Sequence, residues 1–235
     1  MQEADLIALY PRLFHMAEDG SWPSIQKHGL LSTSRLLDLY QIHGAKRQAL
    51  ESQRRPQSVS LIRKGLGSVV VRDQKPLREA SLAACLTDNL TPREWYEILN
   101  ARTFFWLSRE RLWRLLRAKA YRDQAQVVLT IDTATLVAAH RDSVMLSPIN
   151  SGSTIMSAQP RGHDTFMTIA DYPYAERRKG RSKADALVEL IVMSGVPDIC
   201  DHVIAVHRIL REQSIEIWRR PGADRQDGPE LPLRI

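Results

Sequence analysis

Glu189 is the one acid in the apolar run Leu187-Val188-Glu189-Leu190-Ile191-Val192. On a strand's two-residue alternation it shares a face with Leu187 and Ile191. A carboxylate there needs a partner or a pocket, unless the strand lies at an edge and the group faces solvent. Beside a sugar, it can stabilise a developing positive charge and take a proton from an incoming nucleophile. Arg109 follows Phe104-Phe105-Trp106-Leu107-Ser108 at an expected helix N-terminus. A guanidinium in that position forks two hydrogen bonds to a phosphate, with backbone N–H groups helping. Arg111 is the neighbour most easily confused with it. His15 ends a short apolar stretch, and its neutral imidazole offers one donor and one acceptor to a hydroxyl.

These side chains lie far apart in sequence, so the elements carrying them must bring them together. Leu6, Leu9, Tyr10 and Leu13 recur at helical steps, which predicts an amphipathic helix within residues 1–14. Leu13–Met16 reads as a buried strand, Glu18-Asp19-Gly20 as a turn, and Ser21 to Gly29 as a short helix with Pro23 in its first turn. Residues 41–58 read as a polar helix and a surface loop, Ser68–Arg72 as a strand, and Leu77–Leu86 as a helix. Thr91-Pro92-Arg93-Glu94 carries a capping-box start. Thr103–Leu107 is an expected strand, and Ser108 caps a helix whose stripe is Leu112, Leu115 and Leu116. Gln126–Asp132, Val144–Pro148, Leu187–Met193, His202–Arg208 and Ile215–Arg219 are further strand candidates. With helices mainly in the N-terminal half and strands in the second, the class is α+β. A single domain is expected over 1–220, and a flexible tail over 221–235.

The 235 residues hold 33 Lys+Arg against 27 Asp+Glu, a net charge of +6. A hydrophobic share of 43% with 26% charged residues excludes a chain disordered throughout. No apolar run approaches a membrane span. The N-terminus has two early acids and no basic region, unlike a signal peptide, so a cytoplasmic protein is expected. Cys85 and Cys200 read as buried free thiols. His163 and Asp164 with His202 and Asp201 lack metal-ligand spacing, and no metal is expected. Rossmann, P-loop and nucleophile-elbow patterns are absent, and His140-Arg141-Asp142 lacks the partners of a kinase motif.

Three segments resemble the ADP-ribosyltransferase fold, in particular the DarT-type nucleic-acid ADP-ribosyltransferases of bacteria. They are Leu13 to Thr33, with a strand ending in His and a helix ending in Gly-Leu; Phe104 to Arg109, an aromatic strand followed by an Arg; and Leu187 to Val192, a strand bearing a Glu after a long polar loop. The order His, Arg, Glu agrees, over about a fifth of the chain. The resemblance implies a split β-sheet core and NAD as co-substrate, with Glu189 and Arg109 catalytic. It implies an NAD site formed by His15, Met16, Ser32, Thr33, Phe105 and Arg109, with Ser34 beside it. It implies modification of nucleic acid, DNA favoured, by a toxin or phage-defence factor with an antitoxin or ADP-ribosyl hydrolase as partner.

The segment Ala175–Lys183 holds five cations against one anion just before the Glu189 strand. The corresponding loop of the resembled family contacts the acceptor. Here Arg177, Arg178, Lys179, Arg181 and Lys183 suit a phosphate backbone, and Tyr172 and Tyr174 can stack on bases. Lys46, Arg47, Arg54 and Arg55 extend the basic character. The polar stretch Asn150–Thr154 is within reach of a ligand on the same reading. Two alternatives stay open: the same fold acting on protein or on an RNA 2′-phosphate, and a non-catalytic module that binds a nucleotide or nucleic acid.

Overall fold

The protein is described by a computed structural model covering residues 1–155 and 158–230. Its strands are β1 (Arg12–Glu18), β2 (Leu30–Leu31), β3 (Val59–Arg63), β4 (Gly67–Val71), β5 (Arg102–Trp106), β6 (Gln126–Asp132), β7 (Val144–Ser147), β8 (Glu189–Met193), β9 (Gly195–Val196), β10 (Val203–Leu210) and β11 (Gln213–Arg219). Its helices are α1 (Glu3–Leu9), α2 (Trp22–His28), α3 (Thr33–Leu39), α4 (Gly44–Glu51), α5 (Glu79–Ala83), α6 (Pro92–Asn100), α7 (Arg109–Leu116), α8 (Thr133–His140), α9 (Tyr174–Arg178) and α10 (Lys183–Ala186). The α+β class stands, with a large antiparallel sheet ordered β11-β10-β6-β1-β5-β8-β7. No helix among the described residues is long and apolar enough to cross a membrane.

β6 is buried along nearly its whole length and pairs with β1 from Arg12↔Asp132 to Glu18↔Gln126. On one sheet face Leu13, Leu129, Ile131, Phe105 and Leu190 join Leu136 and Val137 of α8 in the main core. On the other, Phe14, Met16 and Val128 pack on Leu112, Trp113 and Leu116 of α7. Each such side chain contributes about 1.5–3 kcal/mol on leaving water. Between β1 and β5 the pairing shrinks to Phe14↔Trp106, so the sheet is nearly parted there.

Local signals explain the start of the fold. Helix α1 ends at Leu9, because Pro11 disfavours helical backbone at Tyr10; Leu13 therefore belongs to β1 rather than to the helix. Gly29 ends α2 at φ +82°, and a Cβ there would lie 2.5 Å from Pro197 Cα. This close approach lets β2 pair with β9 through Leu30↔Val196. Thr91 and Glu94 form the expected capping box, and Ser108 caps α7 by accepting from Arg111 N–H. Helix α8 and strand β3 had no sequence expectation.

The C-terminal segment is not a free tail through residue 230. Asp227 takes two hydrogen bonds from Arg12, at 2.8 Å each, and the Pro229 carbonyl accepts from Trp113 Nε1 at 2.7 Å. A buried indole N–H requires such an acceptor, and this segment supplies it. The rest of the expected tail, 231–235, lies outside the described residues. Cys85 is half-buried as a free thiol, but Cys200 is exposed, because it sits in the turn between β9 and β10 rather than in the core.

Candidate functional site

A cavity of about 330 Å³ opens where β1 and β5 part. Its wall brings together His15, Met16, Ser32, Thr33, Phe105 and Glu189. Residues distant in sequence meet because β1 and β8 both neighbour β5.

His15 Nδ1 lies 2.8 Å from the Phe104 carbonyl oxygen. That oxygen can only accept, so Nδ1 carries the proton and Nε2 keeps a lone pair for a hydroxyl. Burial pushes the His15 pKa down to about 4, aided by the charge of Arg72 and opposed by the Phe104 hydrogen bond. The imidazole is therefore neutral at physiological pH. Phe105 packs against it at 5.7 Å between ring centroids.

Glu189 is the first residue of β8, opposite Trp106 on β5 and Ser147 on β7. It is 4% exposed, which rules out a solvent-facing edge position. Its Oε2 accepts from Ser151 N–H at 3.1 Å and from Ser151 Oγ at 2.7 Å. Burial pushes the carboxyl pKa up to about 7, while the Ser151 hydrogen bonds and the charges of Arg161 and Arg111 pull it back. The group thus changes charge near neutral pH, as a general base or charge stabiliser requires.

The Asn150–Thr154 stretch proves to be the support of this carboxyl. Buried Arg161 donates to the carbonyls of Ser151 and Ser153, at 3.0 and 2.9 Å, and so fixes the turn. Nothing in the sequence around Arg161 signals this task, since its partners are main-chain oxygens. Arg55, Arg72 and Arg102 also line the cavity. Arg72 donates to the Met16 carbonyl at 3.0 Å and lies over the Tyr121 ring. Three residues of the wall, His28, Arg102 and Thr103, carry buried polar atoms, Nε2, Nε and Oγ1 respectively, with no hydrogen-bond partner among the described residues.

Arg109 is not part of this wall. It starts α7 as expected, but its Nε donates to the Gly228 carbonyl at 2.8 Å and its guanidinium sits 5.3 Å from the Phe14 ring centroid. The C-terminal segment has taken the donor that the sequence assigned to a phosphate. Arg111 is likewise engaged, with the Ala184 carbonyl and Asp185. Ser34 turns away to donate to Glu51. Ser32 caps α3, accepting from Arg35 N–H, and still lines the cavity.

The basic segment is not loop throughout: it forms α9, a turn and α10. Arg178, Lys179, Arg181 and Lys183 are exposed, and Arg177 is half-buried. Tyr172 cannot stack on a base, because it is buried and its hydroxyl donates to the Ala186 carbonyl at 2.6 Å. Tyr174 meets Tyr10 edge-on at 6.2 Å. Arg177 and Arg161 share a second cavity of about 310 Å³ with Pro148 and Ile149. The basic face is thereby linked to the turn that holds Glu189. Arg55, by contrast, is buried and spends its donors on Leu50, Arg72 and Asn100, so it adds nothing to a basic surface.

A model of a family of unknown function, DUF7002, matches residues 11–203. That span contains every residue lining the main cavity. No curated protein matches the chain.

Proposed function

The chain belongs to the DUF7002 family of unknown function; on the geometry of its cavity and the resemblance of three segments, we propose that it is an NAD-dependent ADP-ribosyltransferase that modifies nucleic acid, DNA in the first instance. One observation carries the proposal: the buried Glu189 carboxyl and the neutral His15 imidazole line one cavity at the gap between β1 and β5. The reduction of the β1–β5 pairing to Phe14↔Trp106, within one seven-stranded sheet, supports reading this seam as the place of the split that the resemblance implies. The polar residues of the wall, Ser32, Thr33, Arg72 and Arg102 among them, suit a ligand as rich in hydroxyl and phosphate oxygens as NAD.

NAD supplies a ribose whose bond to nicotinamide can break, nicotinamide leaving with the bonding electron pair. Ionised Glu189 stabilises the positive charge that develops on the ribose. His15 Nε2 accepts from a ribose hydroxyl and orients the sugar. Arg72 and Arg102 replace Arg109 as the cations facing the phosphates. A nitrogen or oxygen of the acceptor then bonds to the ribose carbon, and its proton passes to Glu189. Arg177, Arg178, Lys179, Arg181 and Lys183 hold the acceptor's backbone through phosphates. Modification of a cell's own DNA would make the chain a toxin or phage-defence factor, restrained by an antitoxin or an ADP-ribosyl hydrolase.

A second reading keeps the cavity and changes the acceptor to an RNA 2′-phosphate; the several arginines in the wall favour it. Incubation with NAD and DNA, RNA or 2′-phosphorylated RNA, followed by mass spectrometry, separates the two. The first reading expects an added ADP-ribose on nucleic acid and free nicotinamide. Loss of the 2′-phosphate would replace it with the second. Calorimetric binding of NAD without nicotinamide release would leave a binding module, and undiminished product from Glu189→Gln would remove the mechanism.

A further inference from the structure

His140 at the end of α8, Asp198 in the turn after β9 and His202 just before β10 converge away from the cavity wall. One ligand atom from each lies within 4.8 Å of the others. His140 Nε2 is 2.7 Å from Asp198 Oδ1, and His202 Nε2 is 3.2 Å from Asp198 Oδ2. The sequence had grouped His202 with His163 and Asp164, but His163 instead follows Gly162 into a turn anchored on Asp88.

His202 is held at both ring nitrogens: Nδ1 lies 3.1 Å from Thr135 Oγ1 and Nε2 lies 3.2 Å from Asp198 Oδ2. The ring is thereby oriented with Nε2 toward the carboxylate, and a metal ion bound there would take the place of a proton between the two. A ring nitrogen held by a hydrogen bond on its far side is also how metal-binding histidines are oriented.

We propose that His140 Nε2, His202 Nε2 and an Asp198 oxygen form a binding site for a divalent transition ion of the zinc class. Two imidazoles and one carboxylate suit such an ion better than magnesium or calcium, which prefer all-oxygen sets. Tetrahedral ligation at the usual bond lengths places ligand atoms about 3.4 Å apart, within the separations found here. The Asp198 side chain is 39% exposed, so a fourth position is open to water. The ion ties α8 to the segment between β9 and β10, where Pro197 closes on Gly29 at the cavity rim.

The test uses the untagged full chain, stripped with chelator and titrated with zinc by calorimetry and with cobalt by visible absorption. One equivalent should bind, with cobalt bands of four-coordinate intensity, and zinc should raise the melting temperature reversibly. Asp198→Asn and His140→Ala, both at partly exposed positions, should fold and lose the high-affinity equivalent. Thr135→Val should weaken binding about ten-fold through the ring orientation alone. Equal stoichiometry and affinity in Asp198→Asn and His140→Ala would overturn the proposal. So would a wild-type chain that binds neither ion.

Discussion

β6 and β5 flank the same strand, β1, and hold it in opposite ways. Along β6 every β1 residue from Arg12 to Glu18 has a partner, and the strand is almost wholly buried. Along β5 one pair remains, Phe14↔Trp106, and His15 fills the lost ladder with a side-chain bond to the Phe104 carbonyl. The first seam is apolar packing on both faces. The second holds a main-chain acceptor bonded to a neutral imidazole and lies beside a carboxyl whose charge burial disfavours. One side of a strand can thus supply the rigidity that lets the other carry unfavourable chemistry.

The sharpest way to break this contrast is at Glu189. Glu189→Gln preserves shape and can still accept from Ser151, yet cannot neutralise a sugar cation. Transfer from NAD should fall on the order of a thousand-fold with folding retained. The wild-type rate should rise with pH through about 7, as the carboxyl ionises, and a residual rate in the variant should lack that limb. At the paired seam the damage should be to stability instead. Leu129→Ala, at a position with no exposure, should lower unfolding free energy by about 2–5 kcal/mol in denaturant titration.

A third experiment reads the seam's electrostatics. The Glu189 pKa is raised from 4.5 to about 7 on folding. The folded state therefore binds more protons between those values, and wild-type stability falls as pH rises through that window. Glu189→Gln should remove this slope, gaining about 3 kcal/mol over wild type at pH 8 relative to pH 4. Parallel pH profiles for the two proteins would contradict the buried-charge account. The smallest effect belongs to Arg109, which touches Gly228 and Phe14 but not the cavity. Arg109→Ala should cost about 1 kcal/mol and leave transfer nearly unchanged. A large loss of transfer at unchanged stability would return Arg109 to the site.

Legibility differed between elements for physical reasons. The caps at Thr91 and Ser108, the end of α2 at Gly29 and the strand Gln126–Asp132 rest on local backbone geometry and short-range periodicity, which a sequence displays directly. The β3–β4 hairpin was half seen: Ser68–Arg72 is Val-rich, while the polar run before it hid Val59–Arg63 as a partner. Met16, Ser32, Thr33 and Phe105 reach the cavity as expected. Arg72 and Arg161 were missed because one points to the carbonyl of Met16 and the other to those of Ser151 and Ser153, and main-chain acceptors leave no trace in residue types.

The sequence by itself determined the α+β class, most strand and helix positions and the two side chains, His15 and Glu189, whose surroundings made them chemically conspicuous. Tertiary structure alone decided the company they keep. It parted β1 from β5 after one pair, brought Ser151 to the buried carboxyl, and gave the Arg109 donor to a carbonyl 119 residues away. Local propensity acts over a few residues, whereas hydrogen-bond satisfaction in a closed interior is settled only when distant segments compete for the same donors and acceptors.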